Sequence, residues 1–337
     1  MQAQLIGKTV DECILRILER IKKNKDPCIL DVSVCLTNPA ARFSLMPLIN
    51  PAVGVIYGIC ALAGVNDDDV LKNDYMPEKT TKAFVKTMQG PLLRGYKAGL
   101  KTSVSLRTAA GSIGSNQTAG RIDQLSNAVE FLKTEHQAKI ILHDPALKPD
   151  GKQELPCMPS MLNLFIENDC LSMDVYIDGM DISGFACYVA PVFTFIQQII
   201  AMLLNVPLGN FTVKAESLFL NFETSEIEID EMLDFVRSFK RMTVVDKDLY
   251  VENQAYDLRF IDNALRYLGD FANRVKEGDI LVANPFPEGR HLRLFYDCAE
   301  ALRAAEAVKQ KLEIEGESVF YHPHLANYYN ISSCKNI

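Results

Sequence analysis

The chain has 337 residues, 48% of them hydrophobic, and a formal net charge of −8, enough to fill a substantial globular core. The acidic balance leaves no basic stripe to neutralise nucleic-acid phosphates and no Lys/Arg block for an anionic membrane, so a large polyanion is excluded as the expected partner. Nine cysteines occur without a CxxC spacing for zinc or redox work, and most sit in apolar strings where a free thiol acts as a small hydrophobe; a reducing cytoplasm is expected.

Val10, Cys13, Ile14, Ile17, Leu18 and Ile21 recur at helical spacing, which predicts an amphipathic helix stopped by Asn24 to Pro27. No basic region followed by an apolar stretch precedes it, and no apolar run approaches a membrane span. Cys28 to Leu36 reads as a strand turned by Asn38-Pro39, and Val53 to Ala63 as a helix buried on nearly all sides. The stretch from Lys97 to Gln117, with Ala110-Gly111-Ser112-Ile113-Gly114-Ser115, lacks a following Gly-Lys-Ser/Thr and reads as a plain loop.

Leu125, Ala128, Val129 and Leu132 mark a further helix ending near Glu135, and Lys139 to His143 a short strand closed by Asp144-Pro145. Met161 to Ile166 and Ser172 to Ile177 predict a hairpin around Glu167-Asn168-Asp169. An apolar helix over Val192 to Leu204 is expected to end at Gly209-Asn210, and Phe211 to Phe222 alternates as a strand. Three amphipathic helices follow, over Glu228 to Phe239, Tyr256 to Val275 and Leu292 to Leu312. The expected organisation is a core over 1–225 and a helical C-terminal extension over 226–337 packed on it.

Candidate chemistry centres on Leu155-Pro156-Cys157, which leads into the hairpin. His143, at a strand end, is a candidate base or substrate ligand near Cys157, against the plainer reading of a structural histidine. His322-Pro-His324 lacks cysteine or carboxylate partners nearby, and no metal is expected.

The string Ile122-Asp123-Gln124-Leu125, Asp144-Pro145, Leu155-Pro156-Cys157, Tyr176, Asp181, Gly184, Val189-Ala190 and Gly209-x-Phe211 resembles in order and spacing the core of thymidylate synthase and the related pyrimidine hydroxymethylases. A weaker trace, Arg42-Phe43-Ser44-Leu45 before the buried helix, extends it toward the N-terminus. The resemblance implies an α+β fold: a mixed sheet with helices on one face and the other packed back to back in a homodimer. It further implies that Cys157 is a nucleophile adding to a heterocycle and that 5,10-methylenetetrahydrofolate supplies one carbon. Asp181 and Gly184 would hold that cofactor, and Asn163 would stand for the family's strand Gln. Covalent addition divides a hard substitution into easier steps.

Departures narrow the acceptor. Where the family places paired phosphate arginines the chain has Ala138-Lys139, and where it places Arg-Ser the chain has Ile177-Asp178-Gly179. Tyr188 occupies the place of the Asn that reads the uracil edge, and Tyr57 that of a folate-side Glu. Losing three charge-assisted contacts would cost about 4 to 9 kcal/mol, which removes deoxyuridylate as the acceptor. The expectation is methyl or hydroxymethyl transfer to another small molecule, heterocyclic or carrier-tethered. The alternative is a non-catalytic relative that uses the fold to bind a partner.

Overall fold

The computed structural model describes residues 3–46, 50–63, 123–142, 159–220, 229–239, 245, 256–280, 283–286, 292–311 and 323–334. Their architecture is α+β. A six-stranded mixed sheet runs β1 (Ala3–Gly7), β2 (Cys28–Leu36), β6 (Leu208–Phe219), β5 (Cys170–Asp181), β4 (Pro159–Glu167), β3 (Gln137–Ile141). β1 and β2 are parallel, as are β5 and β6, and the other neighbours are antiparallel.

Helix α1 (Val10–Asn24) begins where Thr9 Oγ1 accepts the Glu12 N–H at 3.1 Å, carries Asp11 and Glu12 in its first turn and Lys22 and Lys23 in its last, and ends on Lys25 at φ 54°. Each feature suits a helix dipole or cap. Asp123 caps α3 (Gln124–Glu135) through the Ser126 N–H. The β4–β5 hairpin turns on Asn168 and Asp169, both at positive φ, as a two-residue turn matching strand twist requires.

The sheet's two faces differ in kind. Val32, Val34, Val213, Ala215, Met173, Val175, Leu162, Leu164 and Ile140 are buried on the face covered by α1, α3 and α4 (Ile182–Leu204). The opposite face carries Ser33, Cys35, Thr212, Lys214, Asp174, Tyr176, Asn163 and Lys139 in register across the strands. There Lys214 Nζ donates to Asp174 Oδ2 at 2.7 Å and to Tyr176 Oη at 3.2 Å.

α4 is long and apolar enough to cross a membrane by length and composition, yet nearly all of it is buried inside the protein. It begins at Ile182, ten residues before the expected Val192, and includes a π-helical turn over Phe185–Val189. A proline inside a helix crowds the carbonyl four residues back and removes one hydrogen bond; the wide turn just before Pro191 accommodates both effects. Gly209-Asn210, expected to close the preceding unit, lies inside β6. The reason is steric: a Cβ on Gly209 would stand 2.3 Å from Ser172 Oγ and 3.1 Å from the Leu171 backbone. β5 also runs to Asp181, four residues past the expected Ile177.

α2 (Pro51–Ala63) is enclosed by α4 on one side and by α6 (Leu258–Lys276) and α7 (Arg293–Lys309) on the other. Gly54 and Gly58 let it abut α4, because a Cβ at Gly54 would fall 2.3 Å from Pro191 Cβ and one at Gly58 2.4 Å from Phe195 Cδ1. α5 (Ile229–Phe239) packs on α1, and α8 (Pro323–Cys334), which the periodicity did not announce, packs on α7. Leu233, Leu268, Phe295 and Leu325 of these helices share one buried apolar cluster with the sheet residues.

Candidate functional site

Asp181 ends β5 and starts α4. Its Oδ1 accepts the Gly184 N–H, which caps the helix and fixes the backbone turn. Burial pushes its carboxyl above the ordinary carboxylate range, and the Gly184 N–H only partly opposes that. Its second oxygen accepts no hydrogen bond among the described residues.

The wide turn that follows delivers two more groups. Cys187 has its thiol pushed up to about 12, by burial first and by the nearby Asp181 charge second. Tyr188 is buried, and its ring meets Tyr57 of α2 edge-on at 5.3 Å and 85°, and Phe193 at 6.1 Å and 86°. Desolvation raises both phenols well above their usual range, and Tyr57 is raised further by Tyr188, Cys187 and Cys60. Asp181, Gly184, Cys187, Tyr188 and Tyr57 thus form one cluster where β5, the π turn and α2 meet. It offers a carboxyl that holds its proton more readily than usual, with one oxygen uncommitted, beside an aromatic wall.

Asn163 is not part of this cluster. It lies on the polar face of the sheet, half-buried, where its Oδ1 accepts from Gln137 Nε2 at 3.2 Å, and it stands opposite Asp174. Cys157 and His143 lie outside the described residues, as do His322 and the Gly/Ser stretch at 110–115. His324 is buried with Nδ1 3.0 Å from the Phe43 carbonyl, and burial lowers its pKa to about 4, so the ring is a neutral tie at neutral pH. Among the described residues no group of three or more His, Cys, Asp or Glu side chains could hold a metal ion.

Cys187 carried no distinguishing signal among nine cysteines; its spacing of six residues after Asp181 matters only once the π turn brings the two together. Asp174, Tyr176 and Lys214 were readable as the polar half of alternating strands, and their mutual contact depends on the β5–β6 register. Comparison with known protein families finds no family model that matches this chain, and comparison with curated proteins finds no match.

Proposed function

We propose that the chain is a folate-dependent one-carbon transferase with a thymidylate synthase-like fold, acting through Cys157 on an acceptor other than deoxyuridylate. The observation that carries this reading is the Asp181–Gly184 turn: a half-buried carboxyl with a raised pKa, one oxygen fixed by the cap and the other without a hydrogen-bond donor among the described residues. Such a group suits the N–H edge of a pterin, and 5,10-methylenetetrahydrofolate, when bound, supplies a carbon at the methylene level. Cys157 would add to the acceptor ring, making the neighbouring carbon nucleophilic, and would leave again once that carbon is substituted.

Four of the described cysteines are disfavoured as the nucleophile. Cys13, Cys35, Cys187 and Cys298 are all raised by burial and stay protonated at neutral pH, which makes them poor nucleophiles. Asp178, exposed on β5, disfavours a phosphorylated acceptor, so a neutral heterocycle or a carrier-tethered group is preferred. The polar sheet face, with Lys214 and Asp174 at its centre, would pack against a second copy, and the protein would work in the cytoplasm.

The test is calorimetric titration with methylenetetrahydrofolate, followed by incubation with uridine, cytidine and free pyrimidines and intact-mass analysis. Folate binding by the native chain, with an acceptor-dependent mass gain lost in Cys157→Ser, is the expected result. No folate binding and no adduct would sink the reading. A second reading, a non-catalytic binding protein on the same fold, is favoured by one observation: Tyr57 and Tyr188 pack edge to face at the positions where the resemblance calls for a folate-side Glu and the Asn that reads the base edge. Folate binding would count against it.

A further inference from the structure

Helix α6 buries Ile261, Leu265, Leu268, Phe271 and Val275 and leaves its other face to solvent. That face contains Arg259, Asn263, Arg266, Tyr267, Asp270 and Asn273, all exposed, with Tyr267 at 52%. It also borders Gly269, a glycine in the middle of a 19-residue helix. A helix-interior glycine is unfavourable relative to alanine. Gly54 and Gly58 are compensated by close contact with α4, but a Cβ on Gly269 would meet nothing within 4 Å among the described residues. Among the described residues, therefore, packing gives no reason for that glycine.

The order of charges supplies one. We propose that α6 is a self-association surface, pairing antiparallel with α6 of a second copy of this chain about a twofold axis at the level of Leu268. That axis sets Arg266 opposite Asp270 of the other copy, Arg259 opposite Glu277, Asn263 opposite Asn273 and Tyr267 opposite Gly269. Each contact occurs twice, as a twofold interface demands. Glu277, the C-cap, is exposed. At the ends Asp257 meets Asp279, whose charge is already held by Arg274 at 2.8 Å. Gly269 then has a function: it admits the Tyr267 ring of the other copy and lets the two helix backbones approach closely. Arg266 is poised for the pairing by its own helix, with Nη2 3.5 Å from Asn263 Oδ1 and the guanidinium 5.3 Å from the Tyr267 ring centre.

One helix pair covers less than a standard interface and its ion pairs are individually weak, so the association is concentration-dependent and sensitive to salt. It is separate from the sheet-face pairing proposed above and does not rest on it.

Sedimentation of the full chain at low and high salt tests the idea, with variants at exposed positions that leave the fold intact. Arg266→Glu and Asp270→Arg each bring two like-charged pairs together and should weaken the association roughly 10- to 100-fold. The double variant R266E/D270R swaps the two charges within each pair and should restore it. Gly269→Leu should raise the melting temperature of the chain and abolish the same association step. Sheet-face pairing would survive all four variants, so its presence or absence is read separately. The proposal is overturned if the native chain shows no salt-sensitive association, if single variants leave it unchanged, or if the double variant fails to recover it.

Discussion

His324 and Phe43, 281 residues apart, are joined by a 3.0 Å contact between the imidazole Nδ1 and the Phe43 carbonyl oxygen. The next two residues of that loop are held from the other end of the chain. Ser44 Oγ donates to Asp11 Oδ1, and the Leu45 N–H donates to both Asp11 oxygens at 3.2 and 3.1 Å. The first and last described helices thus grip three consecutive residues of the segment leading to α2.

His324 is neutral in the folded chain because burial lowers its pKa from 6.5 to about 4. Its contribution is fully present above pH 6.5 and is lost as pH falls toward 4, because the unfolded chain takes up the proton first. By pH 5 the loss is about 2 kcal/mol. Urea unfolding of His324→Asn, whose amide can still donate to the Phe43 carbonyl, should show a smaller loss between pH 7 and pH 5 than the native chain. An identical pH dependence in both would refute the assignment.

Asp11 works in the opposite sense. Burial raises its carboxyl from 3.8 to about 6, against the hydrogen bonds from Ser44 and Leu45. The folded chain therefore holds this proton more tightly, and the associated stability is complete below pH 3.8 and disappears as pH rises through 6. Relative to Asp11→Asn, the native chain should gain about 3 kcal/mol on going from pH 7.5 to pH 3.5. A stability difference that stays flat across this range would rule the account out. Since the two titrations oppose each other, the native pH profile alone understates both.

These ties show where sequence reading stops. Helix α1, strand β2, helix α2 and the β4–β5 hairpin are visible as local periodicity and turn chemistry, because the signals lie within a few residues of each other. The hold of Asp11 on Ser44, or of His324 on Phe43, depends on packing between segments far apart in sequence. The same holds at the candidate site. Asp181 and Gly184 are singled out only by the family resemblance, whereas the meeting of Tyr57 with Tyr188 needs the docking of α2 on α4, and Asn163 falls on the other face of the sheet because strand alternation directs it there.

That docking is itself testable. Gly58→Ala puts a Cβ 2.4 Å from Phe195 Cδ1, and Gly54→Ala puts one 2.3 Å from Pro191 Cβ. Alanine is the better helix former, so propensity favours both changes by up to about 1 kcal/mol. Overpacking typically costs about 1 to 3 kcal/mol and should prevail, most clearly at Gly54, where the rigid proline ring cannot rotate away. Chemical denaturation should find both variants less stable, with Gly54→Ala the worse. A gain in stability at either position would mean that α2 does not approach α4 this closely.

Asp181 has a structural role that must be separated from its proposed role toward the cofactor. Removing a helix cap costs about 1 kcal/mol, while serine caps nearly as well as aspartate. Asp181→Ala should therefore lose stability, and Asp181→Ser should retain most of it, since its hydroxyl can still accept the Gly184 N–H. Binding sorts differently, because neither variant keeps the carboxyl oxygen left open by the cap. If methylenetetrahydrofolate titrations show affinity lost in both variants while only the alanine variant is destabilised, the carboxyl acts on the ligand directly. Affinity that follows stability, kept in the serine variant and lost in the alanine variant, would make Asp181 a cap alone and remove the main support for a pterin at this turn.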